Sequence, residues 1–207
     1  MIKSEIGDEL TMDAKPQKIS LMIDNCVWNK FYELNLDLSK ELPFTNFTLY
    51  MTKEVAEFEV QAMSSNVKKQ HLHQYIEKQI NNCPIKTDSF FGLSSYQTPA
   101  GYKHRSGGFN EGRWLTYAEV PAVLKYEKEI DKTKLRPTDL YCDEADASLA
   151  IRSITGFVVL TAEKKKKKKE KEGPLQKAYK DGGKIVFWDD FDVNNERLMD
   201  FIIRQSK

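Results

Sequence analysis

The sequence has few cysteines, and they follow no recognisable spacing. Cys26, Cys83 and Cys142 are far apart, and no two of them form a CxxC pair. An odd number of isolated cysteines indicates neither a disulfide framework nor a zinc site. We expect Cys26 and Cys142 to be small residues of the core.

Long apolar runs and a strong charge imbalance are also missing. The first residues are polar, so we expect no signal peptide, no transmembrane helix and no membrane partner. The formal net charge is +1, so any affinity for nucleic acid must come from local groups of basic residues. Apolar residues make up 40% and charged residues 30% of the chain, which favours a soluble, cytoplasmic protein.

The chain divides into a short tail and one domain. Residues 1–17 lack apolar periodicity and contain Pro16, which predicts a flexible N-terminal tail. Residues 18–207 are enough for a single domain with an insertion. The insertion is predicted at about 84–135, because the segment rich in glycine, serine and aromatic residues inside it keeps no steady period. A helix is predicted inside or after the irregular segment, at 117–130.

Short apolar runs alternate with amphipathic stretches along the rest of the chain. The runs predict strands at 19–23, 47–51, 157–160 and 184–188. The amphipathic stretches predict helices at 27–38, 52–63, 67–80, 138–154, 174–180 and 195–205, with Gly156 ending the fourth. This alternation predicts an α/β fold with a central, mostly parallel sheet between layers of helices.

Carboxylates occur where this fold would place a site. Asp24 directly follows the first strand, and Glu163 lies just beyond the strand at 157–160. Asp146 lies in the helix that leads into that strand, and Glu57 in the helix after the second strand. The carboxyl ends of parallel strands share one edge of the sheet, so we expect these acids to converge there.

Clustered carboxylates suit one kind of chemistry. They repel one another when ionised, and a hard divalent cation with oxygen ligands relieves that repulsion. Such a cation also activates water and stabilises charge on a phosphodiester. The pattern therefore favours a phosphodiesterase that uses no protein nucleophile.

Four motifs in chain order resemble those of the PIN-domain family of ribonucleases. They are the strand and acid at 21–25, the acidic helix segment at 52–58, the Asp-Ala-Ser-Leu-Ala segment at 146–150, and the strand followed by Thr-Ala-Glu at 157–163. The later strand at 184–188 falls where that fold has its closing strand. The resemblance covers roughly 18–80 and 138–205.

The resemblance implies a PIN-like three-layer α/β/α fold and a set of site residues. Asp24, Glu57, Asp146 and Glu163 would be the catalytic acids. Asp24, Asp146 and Glu163 would hold Mg²⁺ or Mn²⁺. Asn25 and Thr161 would not bind the metal themselves but would orient the carboxylates or a water molecule. The family usually has Asp in the place of Glu163, so this carboxylate is displaced by about one methylene.

Neighbouring acids remain alternatives to these choices. Glu59, Asp143 and Glu144 are close enough in sequence to take the place of Glu57 or Asp146. Two of the chosen acids also have ordinary structural interpretations. Asp24 could cap the following helix, and Glu57 could be a solvated helix residue.

The resemblance further implies a metal-dependent endoribonuclease. Its partners would be an RNA substrate, an antitoxin if the chain is a toxin of a toxin–antitoxin pair, and a second copy of the chain. Two basic segments supply candidates for RNA contact: Lys164 and Lys165 in a lysine run, and Lys103, Arg105 and Arg113 among aromatics of the insertion. The run could equally be a solvated loop, and we favour a small satellite core for the aromatics.

Two other functions compete with the nuclease. A PIN-like module with weak or no catalysis could bind RNA or a protein, and the replacement of Asp by Glu163 favours it. A haloacid-dehalogenase-like phosphatase requires a DxD motif after the first strand. Here Asp24 is followed by Asn25 and Cys26, which argues against that class.

Overall fold

The computed structural model describes residues 18–90, 112–164 and 172–207. The predicted tail at 1–17 lies outside these residues. So do most of the segment rich in glycine and aromatics and most of the lysine run.

The centre of the fold is a sheet of five parallel strands. They are β1 (Ile19–Ile23), β2 (Phe47–Thr52), β3 (Ile85–Asp88), β6 (Val158–Thr161) and β7 (Ile185–Phe187). Their order across the sheet is β3-β2-β1-β6-β7, and every neighbouring pair is parallel. Leu21, Met22, Ile23 and Leu160 are fully buried, as expected for strands covered on both faces. The four strands predicted from apolar runs are confirmed.

Strand β3 departs from the prediction. It pairs with β2 from Leu49↔Ile85 to Thr52↔Asp88, although 84–135 was assigned to an insertion. Its sequence, Ile-Lys-Thr-Asp, carries almost no apolar signal because it is an edge strand with two exposed residues. The sheet therefore extends past the predicted start of the insertion.

Eight α-helices surround the sheet in the described parts of the chain. They are α1 (Val27–Glu33), α2 (Leu38–Glu41), α3 (Gln61–Ser64), α4 (Gln70–Asn82), α5 (Val120–Tyr126), α6 (Glu144–Ile154), α7 (Pro174–Lys180) and α8 (Leu198–Gln205). A π-helical turn, Glu54–Val60, runs directly into α3, and short 3₁₀ turns cover Val67–Lys69, Glu127–Glu129 and Trp188–Asp190. A small antiparallel pair, β4 (Asp131–Leu135) and β5 (Tyr141–Cys142), lies before α6.

Helices cover both faces of the sheet. Right-handed crossovers between parallel strands put α1 and α4 on one face, because the chain passes from β1 to β2 to β3 in one direction. They put α6 and α7 on the other face, because the chain returns to β6 and continues to β7 in the opposite direction. The contacts agree, since α1 packs on α4, and α6 packs on α7. The α/β class with a parallel sheet flanked by helices is thus confirmed.

Six of the seven predicted helices have different bounds, and α7 alone matches its prediction. The helix expected at 27–38 ends at Glu33, the one at 67–80 is a 3₁₀ turn followed by α4, and the one at 195–205 begins at Leu198.

The helix expected at 52–63 is the π-helical turn followed by α3, although the Thr52 hydroxyl accepts from the Val55 N–H at 3.2 Å, as a cap would. The helix expected at 138–154 begins only at Glu144, because Tyr141–Cys142 forms a strand. The helix at 117–130 is reduced to α5. Gly156, at φ 113, follows the end of α6 in the left-handed region, as predicted.

No helix in the described ranges has both the length and the apolar character needed to cross a membrane.

The strand order creates a crevice at one edge of the sheet. The chain leaves β1 towards β2 but reaches the other neighbour of β1, which is β6, only much later. Where the order reverses in this way, the loops at the carboxyl ends of the two strands separate, and open α/β sheets bind ligands there.

Candidate functional site

The first element of the site joins the ends of β1 and β6. Asp24 directly follows β1, and its backbone N–H donates to the Leu160 carbonyl at 3.1 Å. The hydroxyl of Thr161, the last residue of β6, donates to Asp24 Oδ2 at 2.7 Å. Asp24 is only 4% exposed, and Thr161 is fully buried. The structure therefore brings together two candidates that are 137 residues apart in the chain.

Cys26 also binds Asp24. Its thiol donates to Asp24 Oδ2 at 2.8 Å, and its Sγ accepts from the Ala162 N–H at 3.0 Å. Burial and the adjacent charge of Asp24 raise the pKa of the thiol, so Cys26 stays a neutral donor. Cys26 packs against the core, as expected, and it also holds the carboxylate of Asp24. Its position two residues after the strand-end acid was the available signal for this second role.

Burial raises the pKa of Asp24 above its ordinary value. The hydrogen bonds from Cys26 and Thr161, and from the backbone of Asn25 and Cys26, act in the opposite direction. Donors thus orient the carboxylate but do not remove the cost of its burial.

Asp146 lies in the first turn of α6 and faces the same region. Burial raises its pKa well above the ordinary value, and the negative charges of Asp24, Glu163 and Glu59 raise it further. Only the charge of Arg136 acts against them among the causes of this shift. Three carboxylates from other parts of the chain thus act on Asp146 at the crevice.

Glu59, and not Glu57, is the acid that the π-helical turn supplies. Burial, followed by the charge of Asp24, raises the pKa of Glu59 from 4.5 to about 7, against the charges of Arg136 and Lys69. Its side chain is 13% exposed. Glu57 is 38% exposed, and its carboxylate lies 3.8 Å from Lys53 Nζ.

The structure therefore places Glu57 on the solvent side of the turn. Glu59 had been an alternative to it. No signal in the sequence separates the two acids, because the segment forms a π-helical turn and not the regular α-helix that was predicted.

Glu163 lies immediately beyond β6, where its N–H donates to the Thr161 hydroxyl at 3.0 Å. Its charge reaches Asp146. The other two alternatives have different surroundings. The buried Glu144 accepts from the Tyr141 N–H at 2.7 Å, and Asp143 lies 4.0 Å from an Arg136 nitrogen.

A cleft of about 380 Å³ opens beside these acids. Asn25 and Glu59 line it on the carboxylate side, and Lys69 and Arg136 bring positive charge to it. Asn25 Oδ1 is buried without a hydrogen-bond partner in the described parts of the chain. A buried acceptor without a donor is uncommon in folded proteins and costs stability.

The residues predicted to contact RNA differ in their exposure and in their partners. Lys164 is exposed directly after Glu163. Lys165, Lys103 and Arg105 lie outside the described residues. Arg113 was expected to contact RNA, but its guanidinium donates to Asp88 at 2.7 Å and to both oxygens of Glu119 at 2.8 and 2.5 Å. Its donors are engaged inside the protein.

Arg113 belongs to a compact ion network at the end of β3, which consists of Asp88, Arg113, Glu119 and Arg152. Arg152, 1% exposed, donates to Asp88 at 2.7 Å. Both arginines lie over the ring of Phe90, at 4.6 and 4.4 Å. Burial works against it, but hydrogen bonds from Arg113 and Thr116 hold the pKa of Glu119 at about 2. This Asp88 network ties residues 113–119 to the sheet.

The acids have the donor atoms that a metal ion requires, but their side chains are not arranged around one point. In residues 18–90, 112–164 and 172–207, no three His, Cys, Asp or Glu side chains form a group that could hold a metal ion as they stand. Carboxylate oxygens are nevertheless the donors that Mg²⁺ and Mn²⁺ prefer, and a cation would relieve the repulsion around Asp146. Side-chain rotation would have to bring the oxygens together.

Comparisons with protein-family models, with curated proteins and with solved structures give no match to this chain.

Proposed function

We propose that this chain is a PIN-like, metal-dependent endoribonuclease. The observation that carries the proposal is the set of four buried or half-buried carboxylates at the point where the strand order reverses. Asp24, Glu59 and Glu163 all act on the pKa of Asp146, and one arginine opposes them. An excess of buried negative charge costs stability, so its presence in a crevice favours a site that takes up a cation.

Each residue of the site would have a definite task. The Thr161 hydroxyl and the Cys26 thiol fix the rotamer of Asp24 through Oδ2. Asp24, Asp146 and Glu163 would hold Mg²⁺ or Mn²⁺. That ion would supply an activated water and would stabilise charge on the phosphodiester. Glu59 would replace Glu57 as the fourth acid.

The test is RNA cleavage with Mn²⁺ or with EDTA. We expect the native chain to cut RNA only with the metal. Asp24→Asn and Asp146→Asn should lose at least about 100-fold in rate, because loss of a residue that only hydrogen-bonds to a metal ligand already costs about 10–100-fold. Glu57→Gln is the matched control and should keep the native rate. Cleavage at full rate by both Asn variants would overturn the site.

A second function is an RNA- or protein-binding module without catalysis. The absence of a ready three-donor group in the described ranges favours it, as does Glu163 in place of Asp. Calorimetric titration with Mn²⁺ separates the two. The nuclease should bind the ion at a site that Asp146→Asn abolishes, whereas the binding module should show no such site.

The toxin role, with an antitoxin and a second copy of the chain as partners, stays a prediction of the resemblance. Coexpression with a small neighbouring reading frame checks it, because an antitoxin should relieve growth arrest and copurify with the chain.

A further inference from the structure

We infer that the cleft lined by Asn25, Glu59, Lys69 and Arg136 binds a phosphate of the RNA substrate, with Arg136 as its main ligand. The inference rests on the proposed function and adds the surface by which the substrate would reach the carboxylates.

The guanidinium of Arg136 is charged, accessible and not saturated. Its nitrogens lie 3.8 Å from Glu59 Oε1 and 4.0 Å from Asp143 Oδ1, both longer than a hydrogen bond. Its one hydrogen bond within the described ranges is a long contact of 3.7 Å to Cys142 Sγ. The side chain is 41% exposed. Arg136 thus has N–H donors available for a further anion.

Arg113 and Arg152 differ from Arg136, because acceptors in direct contact bind their guanidinium groups. Both of those arginines donate to Asp88 at 2.7 Å, and Arg152 also donates to the Ser148 carbonyl at 3.0 Å. Their charges are neutralised by partners in direct contact. Arg136 is close enough to the acids to be held in the cleft, and too far from them to be neutralised in the same way.

Lys69 supplies a second cation to the cleft. It ends the 3₁₀ turn Val67–Lys69, just before α4, and its charge reaches Glu59. The Asn66 side chain accepts from the Lys68 N–H at 3.1 Å and fixes the start of that turn. Two elements distant in sequence therefore place Lys69 and Arg136 on one cleft.

An oxyanion matches this chemistry, and the RNA substrate of the proposed function would supply it as a phosphate. The fork of an arginine binds two phosphate oxygens, and a lysine adds a point charge. The volume of about 380 Å³ is within the range of small-ligand sites. Since Asn25 and Glu59 also line the cleft, a phosphate bound there would lie next to the carboxylates.

Binding of a short, fluorescein-labelled, single-stranded RNA tests the inference. Its anisotropy is measured in EDTA, on chains that carry Asp146→Asn, so that cleavage is blocked and the negative charge near the cleft is reduced. Arg136→Gln should weaken binding about tenfold and reduce the slope of log K against log salt by about one. Lys69→Gln should weaken binding about threefold to fivefold.

Two lysines outside the cleft serve as matched controls. Lys68 is exposed next to Lys69, and Lys134 is 74% exposed two residues before Arg136. Lys68→Gln and Lys134→Gln should bind RNA as the parent chain does. Lys69→Gln keeps the test valid if Arg136→Gln does not fold, and Arg136→Lys should restore part of the binding.

The outcomes separate this inference from the proposed function. If the Lys69 and Arg136 variants bind RNA as well as the two controls, the cleft is not the phosphate site, whether or not the native chain cuts RNA. If they lose binding while the native chain shows no cleavage with Mn²⁺, the cleft inference holds and the nuclease proposal fails.

Discussion

Two groups of buried charge lie at the same edge of the sheet, and they differ in balance. The Asp88 network at the end of β3 pairs two acids with two arginines through contacts of 2.5–2.8 Å. In the group at the ends of β1 and β6, the charges of Asp24, Glu163 and Glu59 add to the burial that raises the pKa of Asp146, and the Arg136 guanidinium lies 3.8 Å from Glu59 Oε1. The first group is a structural connection. The second group is costly to the fold, which is typical of a functional site.

The largest effect should come from removing the shared acid of the Asp88 network. Asp88→Asn would leave two arginines with less compensation, and we expect a loss of about 3–5 kcal/mol in the free energy of unfolding. Urea denaturation measures it. The control Asp131→Asn alters an acid of the surface pair with Lys134 and should leave the midpoint close to the native value. A native-like midpoint for Asp88→Asn would show that the network does not stabilise the fold.

A bound cation should stabilise the fold at the group of carboxylates around Asp146. At a Mn²⁺ concentration 100 times its dissociation constant, we expect the native chain to gain about 2.7 kcal/mol in stability. Thermal denaturation with and without Mn²⁺ measures this gain. Asp146→Asn should lose it, whereas Glu57→Gln should keep it. An equal gain in Asp146→Asn would place the ion elsewhere.

Neutralising Glu59 should stabilise the fold, in contrast to Asp88→Asn. Because the folded pKa is raised from 4.5 to about 7, the native state binds more protons than the unfolded state between these values. Stability therefore falls as the pH rises from about 4.5 to 7, and the full penalty is present above pH 7.

Glu59→Gln removes this penalty, so at pH 8 it should raise the free energy of unfolding by about 2–3 kcal/mol. At pH 4.5 it should have little effect. Urea denaturation at both pH values measures the difference. Glu57→Gln should behave as the native chain at both, and equal effects of Glu59→Gln at the two values would contradict the assigned environment.

The smallest effect concerns Ser148, which joins the Asp88 network to Glu54 of the π-helical turn. Its hydroxyl donates to Glu54 at 2.8 Å and accepts from Arg152 at 2.7 Å. Ser148→Ala should cost about 1 kcal/mol in stability, since it removes these hydrogen bonds. RNA cleavage should stay at the native rate, because Ser148 touches the Asp88 network and not the carboxylates of the proposed metal site. Ser64→Ala, at an exposed helix end, is the control.

Much of the fold could be predicted from local pattern. The strands β1, β2, β6 and β7 are short apolar runs because both of their faces are buried, and burial on both faces leaves a direct trace in the sequence. The edge strand β3 leaves almost no such trace, since two of its four residues are exposed. Strand β5 falls within the helix predicted at 138–154, because two residues are too few to show a period, and β4 falls within the predicted insertion.

The site could be predicted only in part. Asp24 and Thr161 stood out because each lies at the end of an apolar strand. Glu59 and Glu57 are both compatible with the sequence of the π-helical turn, and packing of that turn on the sheet selected Glu59. The sequence did not indicate Arg136 as a residue of the site, because it lies in the turn between β4 and β5.

By itself, the sequence determined where four of the five central strands lie along the chain and which acids follow them, because both can be read from a few neighbouring residues. The tertiary structure decided which acids are neutralised. Arg152 meets Asp88 across 64 positions, and Arg113 meets it across 25. Charge balance depends on distances between segments that only folding brings together, so local pattern cannot show which group of carboxylates is left with an excess of negative charge.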